Sequence, residues 1–369
     1  MKTTVIHKNE NCGFIKNEKK NSEPPRILSE KTRTMKFMNR PKIISGMTVV
    51  GKKEGMGVLG ENFDFIQTDA KWKEKSFEKG EVKFLETSVR GAIKKSGLKE
   101  NEIDLFLSGD LLNQLVSSSF VARDFPVSYF GLYSACSTMT QALAIGAAFA
   151  NANYFNNIAC ATSSHFATAE RQYRYPLEYG CQRPPYAQWT ATAAGCSIVS
   201  LKGEGPSITH ATVGKVVDFG INDLNNMGAA MAPAAVDTFL SVMEDTGYEP
   251  ENFDLILSGD LGKLGSDIFR DLMREKGYGL GNNYHDCGAM LYAVDQSCYG
   301  GGSGAGCCAA VLNSFVLNRM NAGKLGRVLV LATGALMSPT TSFQGDTIPA
   351  ISHAVILEND NREENDGLS

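Results

Sequence analysis

Residues 104–111 read Asp-Leu-Phe-Leu-Ser-Gly-Asp-Leu, and 150 positions later residues 254–261 read Asp-Leu-Ile-Leu-Ser-Gly-Asp-Leu. Seven of the eight residues are identical, at a spacing far beyond the 20–50 residues of a solenoid repeat, so the chain holds a duplicated domain. Each copy is short and apolar and enters a Ser-Gly-Asp turn, the pattern of a buried parallel strand. The echo continues upstream. Val82, Leu85, Val89 and Ile93 mark a helix that stops at Gly97, and the counterpart from about 233 to 246 stops at Gly247. Downstream, Cys136 and Thr162 recur as Cys307 and Thr333, both displaced by 171. Order and direction agree between the halves.

Strands alternating with helices imply mostly parallel sheets covered by helices. Residues 138–150 (TMTQALAIGAAFA) are small and apolar on nearly every side, so this helix must be buried all round. The segment after Cys308 has the same character. Two such helices between two mostly parallel mixed sheets give an α/β body of five layers, α-β-α-β-α. Cys136 then opens a buried helix, where unpaired amides and the helix dipole favour a thiolate or a bound anion. A buried, inert cysteine is the alternative.

Composition narrows the setting. The 369 residues carry a net charge of −4, yet residues 1–42 contain eleven Lys/Arg against four Asp/Glu. Residues 1–40 read as a basic, disordered extension. They are followed by one half over 41–206, a second over 207–358, and an acidic tail over 359–369. No apolar run reaches membrane-spanning length and no secretory signal opens the chain. Nine cysteines without a repeated C-x-x-C pair suggest buried free thiols in a reducing compartment. Neither a metal nor a cofactor nor a nucleic-acid partner is expected.

Several blocks carry a more specific resemblance. They are 108–114 (SGDLLNQ), 131–138 (GLYSACST), 161–165 (ATSSH), 169–176 (AERQYRYP), 227–235 (MGAAMAPAA), 285–288 (HDCG), 301–304 (GGSG), 332–339 (ATGALMSP) and 351–354 (ISHA). In this order they resemble the stage V sporulation protein AD family of the thiolase-like superfamily, over about 40–358. The resemblance implies a duplicated thiolase-like fold and a homodimer. It also implies binding of dipicolinic acid, or its calcium chelate, during loading of the developing spore. Other stage V A membrane proteins would be partners, with this chain peripheral on the cytoplasmic side of the forespore inner membrane.

Cys136 matches the superfamily nucleophile position, which leaves an acyl-thioester transferase or condensing enzyme as the alternative, with His353 or His285 as proton carrier. The Gly-His-Pro-x-Gly motif of ordinary thiolases is replaced by 294–302 (VDQSCYGGG), so a non-catalytic binder is expected. A flat dicarboxylate calls for cationic forks, helix-end amides and an aromatic wall. The segment 165–190 supplies His165, Arg171 and Arg174 among Tyr173, Tyr175, Tyr179 and Trp189. Asp110 shares its half with Cys136 and is the candidate pocket acid, with helix capping as the alternative role. His285 and His353 complete the candidate ligand-binding set.

Overall fold

The computed structural model describes residues 32–359 apart from Tyr175 and Cys181. The basic segment 1–31 and the acidic residues 360–369 lie outside the described residues, as do the expectations placed on them. One part of the supposed extension is ordered. Thr34–Lys36 forms a strand that pairs antiparallel with Ser207–Thr212, so regular structure begins before Pro41.

Five strands build the first half: β1 (Lys42–Gly51), β2 (Leu105–Gly109), β3 (Ser128–Gly131), β4 (Asn157–Ser164) and β5 (Ala193–Ser200). The second half repeats them as β6 (Ser207–Thr212), β7 (Leu255–Ser258), β8 (Tyr284–Asp286), β9 (Arg327–Ala335) and β10 (Ala350–Glu358). The orders are β3-β2-β4-β5-β1 and β8-β7-β9-β10-β6, the same arrangement twice. Within each half the first three strands run parallel and the next two alternate, so four of five point one way. The two sheets meet at one edge, where Lys42 of β1 pairs with Ser207 of β6. The repeated Asp-Leu-x-Leu segments are β2 and β7, and their strand residues are wholly buried.

The helices repeat as well. Helix α1 (Phe77–Ser96) and helix α2 (Val116–Arg123) cover the outer face of the first sheet, where Phe84, Leu85 and Val89 pack on Phe106 and Ile198. Helix α3 (Thr138–Asn151) lies centrally and touches β4 and β2 of its own half and β9 and β10 of the other. Helix α4 (Phe166–Tyr173) follows β4. Helices α5 (Met227–Thr246) and α6 (Gly262–Glu275) cover the second sheet through Phe239, Phe269 and Ile256. Helix α7 (Ala305–Val311) is the second central helix and continues through a π-turn to Asn321. Both central helices share one apolar core with Leu107, Leu257 and Val330 from the two sheets. Five layers result.

Two local differences from the sequence reading have simple causes. Helix α5 starts six residues earlier than its apolar pattern implied, and Pro233 sits inside it. Flanking alanines and glycine leave room around the proline ring, and Asn226 caps the start through Ala229 N–H. Helices α1 and α5 do end at Gly97 and Gly247, both at positive φ (77° and 71°), a conformation that favours glycine.

Candidate functional site

The C-terminal ends of β2, β4, β7 and β9 converge between the halves, the usual place for a ligand in an α/β fold. Cys136 lies in the turn Ala135–Ser137 that leads into α3. Ala135 takes a positive φ of 47°, and the Thr138 hydroxyl donates to the Ala135 carbonyl at 2.7 Å while accepting from Ser134 N–H at 3.1 Å. The turn is thus tied down on both sides of the cysteine.

The acid that meets Cys136 is Asp260, not Asp110. Asp260 is fully buried and accepts from Gly304 N–H at 3.1 Å and from the Thr333 hydroxyl at 2.8 Å. Burial pushes its carboxyl up to about 7, against the hydrogen bonds from Cys136 and Thr333 that favour the carboxylate. Cys136 is pushed well above the usual thiol value, first by burial and then by the Asp260 charge and the bond it makes to that carboxylate. The Gly304 amide and Arg174 act the other way, and they lose. Cys136 is therefore a protonated thiol that donates to Asp260.

Asp110 instead holds its own loop, accepting from Leu112 N–H (3.0 Å), Ser118 N–H (2.7 Å) and the Ser118 hydroxyl (2.7 Å). In the second half this work falls to Asp286, which accepts from Leu261 and Gly262 N–H at 2.8 and 2.9 Å. That substitution frees Asp260 to turn toward the centre. Asp110 thus braces the start of α2 through Ser118, while Leu115 holds the N-cap position itself without a side-chain bond.

The histidines also take structural positions. His353 accepts from Gly214 N–H through Nδ1 (3.2 Å), and its Nε2 lies 3.0 Å from the Ser134 hydroxyl, which contacts the Ser137 hydroxyl at 2.6 Å. Both ring nitrogens are occupied and burial lowers its pKa to about 4, so it braces the Cys136 turn as a neutral ring. His165 caps α4, accepting from Ala167 N–H at 3.1 Å, with Nε2 at 2.9 Å from the Ala70 carbonyl. Burial likewise lowers it to about 4. His285 lies on the edge strand β8 with an exposed side chain. Its pKa is lowered by partial burial and by Arg270.

Of the two predicted arginines, Arg171 points outward and pairs with Glu78, its side chain about half exposed. Arg174 turns inward. It lines both a cavity of about 30 Å³ around Cys136, room for a water or so, and a larger one of about 310 Å³ beside it. The i,i+4 spacing from Glu170 brings the two side chains together, and Arg183 reaches the same Glu170 oxygen at 2.6 Å. Arg174 keeps only 5% of its side chain exposed and Glu170 10%. Arg174 Nε, Arg183 Nε and Gln188 Oε1 are buried without a hydrogen-bond partner among the described residues. Two guanidiniums share one carboxylate, so the cluster carries an excess of one positive charge and unused donors.

The wall of the larger cavity is flat and aromatic. Phe166 and Trp189 stack with ring centroids 3.8 Å apart and planes within 6°. Arg183 lies over both rings at 5.7 and 5.4 Å, and Lys53 covers Trp189 at 4.2 Å. Sequence reading picked out Arg174 and Trp189. It passed over Glu170 and Arg183, although Arg183 lay within the aromatic segment already singled out, and of the two strand-end acids it preferred Asp110 to Asp260. Among the described residues no group of three or more His, Cys, Asp or Glu is placed to hold a metal ion. Nor is any described helix long and apolar enough to cross a membrane.

Comparison with known proteins agrees with this architecture. The model of the family "Stage V sporulation protein AD" matches residues 31–358. The curated stage V sporulation protein AD of Bacillus subtilis (strain 168) is 44% identical over 314 residues, covering 85% of this chain and 93% of its own. Among solved structures, 3-oxoacyl-[acyl-carrier-protein] synthase III from Aquifex aeolicus VF5 superposes with a TM-score of 0.54 at 14% identity, over 86% of this chain and 100% of that one. OleA of Xanthomonas campestris with cerulenin gives 0.53 at 13%, over 87% and 98%. At such identities these structures establish the thiolase-like fold alone. The matched span and the identity to the curated relative place the chain in the stage V sporulation protein AD family, as a sporulation protein with a thiolase-like fold.

Proposed function

We propose that the protein binds dipicolinate without turning it over, through the Arg174–Arg183–Glu170 cluster, and serves its movement into the developing spore. The observation that carries this reading is the buried pair of guanidiniums on a single carboxylate, with Arg174 Nε and Arg183 Nε unpartnered among the described residues. A second carboxylate would complete both forks and cancel the residual charge. The Phe166–Trp189 stack supports a planar ring beside it, and about 310 Å³ is ample for a pyridine dicarboxylate. The cationic excess favours the free dianion over its neutral calcium chelate. We place the protein peripherally at the forespore inner membrane with other stage V A proteins. A homodimer is supported by the outer edge of β3, which is unpaired among the described residues and where Phe130 is 51% exposed.

The acyl-thioester reading rests on Cys136 opening a central helix. Against it stand the protonated thiol facing Asp260 and the two occupied nitrogens of His353. Calorimetry of the whole chain with dipicolinate tests the first reading. Arg174→Met should weaken binding ten- to a hundredfold, from about 1.5–3 kcal/mol per charged hydrogen bond. The surface control Arg171→Gln should not. No saturable heat from folded wild-type protein would sink direct binding, and a Cys136 acyl adduct by intact mass after incubation with acyl-CoA would favour the enzyme.

A further inference from the structure

A further cavity of about 350 Å³ shares Phe166, Leu177 and Trp189 with the cavity that holds Arg174, as a common wall. Neither Glu170 nor Arg174 nor Arg183 lines it. Its charged residues are instead Lys52, Lys53 and Glu54, in the short helical turn Lys52–Gly55 that follows β1 directly. The two cavities are neighbours with different chemistry.

Lys53 is placed by what surrounds it. Its carbonyl accepts from Gln296 Nε2 at 2.6 Å, which fastens the turn, and its ammonium lies 4.2 Å from the Trp189 ring centre. Phe166 already occupies one face of that ring, so Lys53 lies over the other. The adjacent Glu54 turns inward. It is buried, accepting from the Tyr292 hydroxyl at 2.6 Å and from Thr192 N–H at 3.1 Å, and burial raises its pKa. Lys52 and Lys53 form no ion pair among the described residues. The two lysines outnumber Glu54 even when that carboxyl is ionised.

The rest of the wall is aromatic and uncharged. Phe77 meets His165 with ring centroids 5.4 Å apart, and Lys71 lies over Phe77 at 4.8 Å. His165, its Nδ1 accepting from Ala167 N–H, presents a neutral ring. Gly51, Ala70 and Ala167 line the space with little bulk. Aromatic walls with small residues between them suit a flat ring, and a lysine without a carboxylate partner supplies the counter-charge for one anionic group. Nothing in this argument depends on a ligand at Arg174.

We propose that this cavity is a second small-molecule site, taking a flat aromatic ring that carries one carboxylate, with Lys53 as the group that binds the charge. The test is the fluorescence of Trp189 in the full-length protein. The chain has two tryptophans, so Trp72→Phe leaves Trp189 as the reporter. Sodium benzoate should change its emission saturably, whereas benzamide and sodium chloride at the same concentrations should not. Lys53→Met should weaken the benzoate midpoint roughly tenfold or more, and Lys53→Arg, which keeps the charge, should retain it. Thr68→Phe, at the exposed rim, should crowd the cavity and weaken the response as well, and it decides the matter if thermal melts show that Lys53→Met does not fold. Arg174→Met should leave the response intact. The proposal is overturned if benzoate gives no saturable change, or if folded Lys53→Met and Thr68→Phe respond like the wild type. It is equally overturned if Arg174→Met abolishes the response, which would place benzoate among the arginines.

Discussion

Replacing Asp260 with asparagine should unlock Cys136. In the wild type the thiol donates to the Asp260 carboxylate, so ionising it would set two negative charges at hydrogen-bond separation. At about 4 Å and an effective dielectric of about 20, that repulsion is about 4 kcal/mol. It corresponds to about three pKa units, or roughly a thousandfold in thiolate fraction. A less basic thiolate is also a weaker nucleophile, with a Brønsted slope of about 0.4–0.5, so the net gain in exchange rate is about 30- to 60-fold. Burial remains, and the Cys136 pKa should stay above that of an exposed cysteine.

The assay is reaction with methyl methanethiosulfonate, a compact reagent that meets the same steric confinement in wild type and variant, read by intact mass with Cys136→Ser as background. The pH dependence has a definite sign. With its pKa at about 7, Asp260 is neutral well below pH 7 and charged above it. Wild type and Asp260→Asn should therefore converge in acid and separate as pH rises through 7. A well-folded Asp260→Asn protein that reacts no faster than wild type at pH 8.5 would refute the assignment of Asp260 as the group holding the thiol protonated.

Two further perturbations test the frame around the site. Glu81 is fully buried, accepting from the Ser163 and Thr168 hydroxyls at 3.0 and 2.9 Å, and burial with the neighbouring Asp110 charge raises its pKa well above the carboxylate range. The folded state thus keeps a proton that the unfolded chain releases above about pH 4. Stability should fall as pH rises beyond that point, by up to about 1.4 kcal/mol per pH unit for one proton. Glu81→Gln should flatten that decline in melts from pH 5 to 9. Gly306→Ala should loosen the central layer: a Cβ there would lie 2.2 Å from the Ala193 carbonyl and 2.9 Å from the Ser164 hydroxyl, forcing α7 away from β5. A loss of roughly 1–3 kcal/mol in urea unfolding is expected.

Much of the fold could be read from the chain because its signals are local. The repeated Asp-Leu-x-Leu strands, the all-apolar helix over 138–150 and the glycine stops at Gly97 and Gly247 each depend on a few neighbouring residues. Burial period and backbone preference act at that range. The duplication implied one fold repeated, and the structure has the same strand order in both halves. Resemblance in long ordered blocks reached the family for the same reason.

The site was legible only in part, because what a polar side chain does depends on what the fold sets beside it. Two Ser-Gly-Asp-Leu turns identical in sequence have opposite employment. Asp110 is taken up by Ser118 and its own loop, while Asp286 releases Asp260 to face Cys136 from the other half. Arg171 and Arg174, three residues apart on one short segment, divide the same way, one to Glu78 in solvent and one to the buried Glu170. The amino-acid sequence determined two equal halves, their central helices and the position of the cysteine. Only tertiary structure decided which acid, which arginine and which histidine meet it, since burial and charge pairing arise between segments far apart in the chain.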